Sequence, residues 1–280
     1  MIRLGGHGLP VGSDDPEAFA RAHRDFGYSA AYCPPCDLFD TDRQLAIEKS
    51  FAQADVMIAE VGIWCNLLTP EDDVRRANID RACNLLALAD AVGAKCAVNY
   101  IGSFAAGTDY APHPKNLSAD AFDATVATAR DIIDRVKPTR ARFALEMMQY
   151  ALPDSVDAYL DLIRAIDRPA FAAHLDPVNL VMTPRTYFDT GRLIRECFEK
   201  LGPHIVSCHA KDIKLHHQAA LHLDEVMIGE GNLDYPTYLR CLDAMPFEVP
   251  LMLEHLDGPD YATARDRLFG IAAGAGLRFR

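Results

Sequence analysis

Four short apolar runs in this chain stop abruptly at a carboxylate or an imidazole. Arg142-Phe143-Ala144-Leu145 runs into Glu146, Phe171-Ala172-Ala173 into His174-Leu175-Asp176, Ile205-Val206-Ser207-Cys208 into His209, and Pro250-Leu251-Met252-Leu253 into Glu254. A buried strand that leaves a packed core and reaches an open face carries this signature. The first three polar residues are spaced by roughly 30 residues, the length of one strand–helix unit. Such a pattern predicts strands that all deliver a polar side chain to the same face.

The rest of the chain fits the same alternation. Strands are expected at Ile2 to His7, Tyr28 to Cys33, Val56 to Cys65 and Lys95 to Tyr100, followed by strands ending at Glu146, Asp176, His209 and Glu254. Helices are expected from about Pro16 to Phe26 behind caps at Ser13 and Asp14, from Asp42 to Ala54, and from a start at Thr69-Pro70-Glu71-Asp72 to Val92. Others fall at Ala119 to Val136, Ser155 to Ile166, Asp189 to Leu201, Tyr235 to Leu242 and Asp260 to Ala273. The loop Gly102 to Ser118 is long enough for a functional lip, and residues 213–234 form a His-rich and Gly-rich excursion. Eight alternations in 280 residues without a linker predict one α/β domain over residues 1–280, a single (β/α)8 TIM barrel with an eight-stranded parallel core.

Charge and cysteine usage narrow the function. A net charge of −12 disfavours nucleic acid, whose affinity comes from Lys and Arg neutralising phosphates. No apolar segment is long enough to span a membrane, and the N-terminus lacks an export signal, so a cytoplasmic protein is expected. Eight scattered cysteines are the pattern of reduced thiols, and Cys33-Pro34-Pro35-Cys36 reads as a rigid loop.

In a parallel barrel all strand carboxyl ends open on one face, so Glu146, Asp176, His209 and Glu254 are expected to converge there. Three carboxylates and one imidazole make an oxygen-rich donor set. It suits one divalent ion, Mn²⁺ foremost with Mg²⁺ or Co²⁺ as options, and does not suit a closed thiolate zinc site. A strand-end acid alone more often caps a helix or pairs with a neighbouring base; four in series favour a metal site.

On Leu145-Glu146, His174-Leu175-Asp176, His209-Ala210-Lys211-Asp212, Gly229-Glu230-Gly231-Asn232-Leu233-Asp234 and Leu253-Glu254, the chain resembles the xylose-isomerase-like superfamily of metal-dependent TIM barrels, the sugar phosphate isomerases/epimerases, which includes ketose 3-epimerases and inosose dehydratase. The resemblance implies that the four residues hold one metal ion and that Glu146 and Glu254 flank a bound sugar as catalytic acid and base. They would act through proton abstraction next to a carbonyl and a metal-stabilised enediolate. The chain departs from the ketose 3-epimerase pattern at Asn179, where those enzymes have His, and at Leu215, where they have Arg. Lys211, His216 or His217 are substitutes for contacts to the substrate.

The same enolate can instead expel a leaving group. A dehydratase or lyase acting by β-elimination on a keto-sugar, keto-inositol or 3-keto-glycoside is therefore the alternative, with His255, Lys211 or a loop His as acid. His7, Trp64 and Asn99 near strand ends are candidates for the sugar pocket, with plain rim packing as the competing reading. His174 faces inward with Asp176, where a satisfied interior histidine is favoured over one that supports the metal site, and Asp212 reads as a residue that orients its neighbours. The expected partner is a small-molecule sugar, with self-association into a homo-oligomer left open. An endonuclease IV type of barrel needs more His ligands and a basic face, and a non-catalytic sugar-binding barrel does not need two glutamates.

Overall fold

The computed structural model describes residues 1–9 and 13–280. Its strands are β1 (Arg3–Gly5), β2 (Ala30–Tyr32), β3 (Met57–Gly62), β4 (Cys96–Asn99), β5 (Arg142–Glu146), β6 (Phe171–Leu175), β7 (Ile205–Ala210), β8 (Asp212–His216), β9 (His222–Val226) and β10 (Pro250–Leu253). All except β8 and β9 join one parallel sheet in the order β1-β10-β7-β6-β5-β4-β3-β2. The sheet nearly closes on itself, because Ser29 N–H donates to Leu4 O at 2.9 Å across the β1–β2 seam. Gly5 makes that approach possible, since a Cβ there would lie 2.6 Å from Ala30 O.

Between the strands lie α1 (Pro16–Asp25), α2 (Thr41–Gln53), α3 (Asp72–Val92), α4 (Ala119–Val136), α5 (Val156–Ile166), α6 (Pro184–Tyr187), α7 (Thr190–Leu201), α8 (Tyr235–Asp243) and α9 (Asp260–Gly274). The result is a single (β/α)8 barrel. Its main core fills the space between sheet and helices. Phe143 and Leu145 on β5, Ala173 and Leu175 on β6, Cys208 and Ala210 on β7, and Leu251 and Leu253 on β10 all face outward into it. Strand residues alternate sides, so the residues between these point into the barrel: Ala144 and Glu146, His174 and Asp176, Ser207 and His209, Met252 and Glu254. Cross-strand register sets their heights, with Glu146 opposite His174 and Met252 opposite His209.

The structure departs from expectation at several ends. Helix α1 is capped by Asp15, whose side chain accepts from Ala18 N–H at 2.9 Å, rather than by Ser13 or Asp14. Helix α3 starts at Asp72, past Pro70, with Glu71 at the cap position and no side-chain cap bond. There Thr69 Oγ1 and Glu71 Oε2 hydrogen-bond each other, which occupies the expected capping hydroxyl. The excursion after β7 contains the antiparallel hairpin β8–β9, and its burial is too slight for a period-two signal: of its residues only Asp212 and Ile213 are buried.

Asp212 anchors that hairpin at its root. Its carboxylate accepts from the N–H groups of Ile213, Gly229, Gly231 and Leu233, so it does orient its neighbours. A Cβ at Gly231 would lie 2.3 Å from Asp212 Oδ1, so this return loop admits only glycine there.

Candidate metal centre

Glu146, Asp176, His209 and Glu254 converge at the carboxyl ends of β5, β6, β7 and β10, with one donor atom of each within 4.8 Å of all the others. His209 Nδ1 lies 3.0 Å from Glu146 Oε1, 2.9 Å from Glu254 Oε2 and 3.7 Å from Asp176 Oδ2. The backbone beneath is held from the helix layer. Tyr238 OH and Tyr235 OH on α8 donate to the carbonyls of His209 (3.0 Å) and Lys211 (2.7 Å). On α5, the Tyr159 hydroxyl sits between β5 and β6, reaching Leu145 O at 2.5 Å and Ala172 O at 2.9 Å.

The donor set fits a hard divalent cation. Asp176 Oδ2 and Glu254 Oε2 are buried yet accept no hydrogen bond, and a buried acceptor without a partner is costly unless a cation satisfies it. Lys211 Nζ approaches these two atoms at 2.9 and 2.7 Å, near enough for ion pairing but off the direction of a hydrogen bond. With the His209 imidazole neutral, as a ligand must be, three carboxylates and one ammonium leave two negative charges to be balanced.

Electrostatics keep these groups charged. Burial would raise the Asp176 carboxyl, but Lys211 and His209 beside it hold it well below the usual carboxylate range. Burial also opposes ionisation of Glu254, yet His209 and then Lys211 bring it down to about 2. For Lys211 burial disfavours the ammonium, and Asp176, Glu146 and Glu254 more than offset that, so it stays protonated.

A second cluster lies deeper in the barrel. Glu60 on β3 is fully buried; its Oε1 accepts from Ser207 Oγ and lies 3.0 Å from His174 Nε2, while its Oε2 lies 3.4 Å from His209 Nε2. Burial disfavours its charge, but His174 and His209 pull it far below the usual range. Glu60, His174 and His209 also lie close enough to hold an ion. The upper quartet is the one that opens on a cleft: Glu146 and Glu254 line a cavity of about 530 Å³ together with Lys211, Asn179 and Trp64.

The structure thus brings Lys211, Asn179 and Trp64 to the quartet. Asn179 Nδ2 donates to Glu146 Oε1 at 3.2 Å and to Met147 O at 2.9 Å, so it fixes the carboxylate it adjoins. Asn99 does not reach the cleft; it is fully buried and bonds both backbone groups of Cys65. His7 stacks on Tyr32 at 4.3 Å and lines a separate hollow. His216 is paired with Asp224 on the hairpin and lies outside the cleft. His174 is fully buried, its Nε2 3.0 Å from Glu60 Oε1 and its ring edge-on to His209 at 4.1 Å.

Sequence reasoning missed Glu60, Glu225, Tyr100, Tyr110, Gln149 and Tyr150. A lone acid inside the apolar run Val56 to Gly62 was the available signal for Glu60. Glu225 arrives on the hairpin, where its Oε2 lies 2.9 Å from His255 Nδ1 and its Oε1 3.8 Å from Lys211 Nζ. That hydrogen bond raises the His255 proton affinity against the opposing effect of burial. His255 itself has φ 55, a left-handed backbone that aims its ring at the cleft wall.

Comparison with known proteins agrees with this architecture. The family model for xylose isomerase-like TIM barrels matches residues 3–271. Among solved structures, an L-ribulose 3-epimerase is similar with a TM-score of 0.70 and 17% identity, covering 99% of this chain and 96% of its own. A xylose isomerase-like TIM barrel protein from Mycobacterium smegmatis, solved in complex with magnesium, gives 0.66 at 17% identity, covering 98% and 97%. The probable 3-DHS dehydratase AsbF from Bacillus anthracis gives 0.68 at 15% identity, covering 96% and 98%. No curated protein matches the chain by sequence.

Proposed function

Since this chain belongs to the xylose isomerase-like TIM barrel family, we propose that it is a divalent-metal-dependent sugar epimerase or isomerase that acts by moving a proton beside a carbonyl. The observation that carries this reading is the convergence of Glu146, Asp176, His209 and Glu254 on one point at the mouth of the barrel. These four residues would hold a divalent cation, Mn²⁺, Mg²⁺ or Co²⁺, which would supply Lewis acidity.

The chain's own groups do the rest. Glu146 and Glu254 are the two carboxylates at the cleft, so one removes the proton from the carbon beside the carbonyl and the other returns it. Asn179 holds Glu146 in place through its Oε1. Lys211, kept protonated by three carboxylates, faces negative charge as it develops on the sugar.

The test is exchange with solvent deuterium at a sugar carbon, with Mn²⁺ present, over ketoses, keto-inositols and 3-keto-glycosides. Incorporation on at least one is expected; none on any would overturn the reading. A second outcome is supported by the His255–Glu225 pair, which puts an imidazole 3.7 Å from Glu254 at the cleft as a candidate proton donor to a leaving oxygen. An unsaturated product in the same assay selects that β-elimination.

A further inference from the structure

The cleft has two unlike halves, and only one of them is needed for the reaction. Glu146, Glu254 and Lys211 form its polar end. From His209 a line of aromatic rings leads away along the cleft: Trp64 at 6.4 Å from the His209 ring, Tyr100 at 5.7 Å from Trp64, Tyr110 at 5.6 Å from Tyr100, and Tyr150 stacked on Tyr110 at 4.4 Å with planes 17° apart. All four aromatic residues line the cavity and none is fully buried.

These rings are held rather than merely gathered. Trp64 adopts φ 49, a left-handed backbone that bulky residues rarely take, and its indole covers Gly62, where a Cβ would meet Nε1 at 2.2 Å. Tyr110 OH donates to Gln149 Oε1 at 3.0 Å, Gln149 Nε2 donates to Asn179 Oδ1 at 2.7 Å, and Asn179 donates to Glu146. Tyr110 is therefore tied to the reacting end by three consecutive hydrogen bonds, and Tyr150 is placed by stacking on it.

We infer that Tyr100, Tyr110 and Tyr150 form a second sugar subsite, so that the substrate is a glycoside of at least two rings and not a free monosaccharide. Tyrosine faces take the apolar C–H face of a pyranose while the ring hydroxyls reach polar groups at the edge. The tyrosines line the same cleft of about 530 Å³ as Glu146 and Glu254, so a sugar ring bound at the glutamates can carry a second ring toward them. This inference names the substrate class of the site proposed above and rests on that reading.

Calorimetric titration of the full chain with Mn²⁺ tests it, using glucose, galactose and mannose against cellobiose, maltose, lactose and gentiobiose. At least one disaccharide binds tenfold or more tighter than its component monosaccharides, and Tyr150→Ala reduces that advantage at least fivefold. Tyr150→Phe, which keeps the ring face, retains it. The inference is overturned if no disaccharide binds, if monosaccharides bind as well, or if Tyr150→Ala leaves the advantage intact. Because binding is read without turnover, a tyrosine-dependent disaccharide that shows no deuterium exchange sinks the proposed reaction and not the subsite. Exchange on free ketoses with no disaccharide preference does the reverse.

Discussion

His209 Nε2 lies 3.4 Å from Glu60 Oε2, on the side of the imidazole opposite the three carboxylates that face Nδ1. Neither atom has a hydrogen-bond partner, but with Nδ1 turned toward the three carboxylates a ring proton on Nε2 would face Glu60, and a buried carboxylate so placed would orient the imidazole if it ligates a cation. Ser207 and His174 hold the other oxygen of Glu60.

Glu60→Gln is therefore expected to weaken Mn²⁺ or Co²⁺ affinity by roughly 10–100-fold, the usual cost of losing such a partner. Calorimetry or the Co²⁺ absorption spectrum measures it. A folded variant that binds metal as the parent does would show that Glu60 only fills space.

Glu146→Gln keeps the shape of the side chain and removes the carboxylate proposed to move the proton. Deuterium exchange should fall by about 10² or more, in the range of general acid–base contributions, while circular dichroism stays that of a folded barrel. Normal turnover in this variant would remove Glu146 from the reaction.

Tyr159→Phe tests the frame under the site. The hydroxyl bridges the Leu145 and Ala172 carbonyls and receives the Leu145 and His174 N–H groups at 3.2 Å, all fully buried. Its loss removes these buried hydrogen bonds and should cost about 1–3 kcal/mol in urea unfolding.

Much of this was written in the chain. Helix α4 was expected at Ala119 to Val136 and spans those residues, because Ser118 caps it and a clear apolar face runs its length. The quartet was legible because strand ends repeat a local pattern, apolar run then polar stop. Glu60, Gln149 and the tyrosine wall were not, since their meaning lies in contacts across the barrel between residues far apart in the chain. Gln149 acquires its place only when β5 and the turn after β6 bring it beside Asn179. The hairpin escaped notice because little of it is buried.

His23 provides a pH prediction away from the site. Burial among Phe19, Phe51 and Tyr28 lowers its pKa to about 4, while its Nδ1 donates to Phe19 O at 2.9 Å. The neutral ring is favoured in the fold, so its contribution is fully present above the unfolded value of 6.5 and is lost as pH falls from there through about 4. Urea midpoints measured from pH 7 to 4.5 should decline in the parent and decline less in His23→Gln. Parallel curves would show that His23 takes no part.

Asp212 gathers four backbone N–H groups at the base of the hairpin, one residue beyond Lys211. The tip between His216 and His222 hangs from that single clasp and touches none of the cation-facing side chains. Evolution can thus lengthen, shorten or replace the tip, and with it the outer rim met by incoming molecules, while the inner chemistry keeps its geometry.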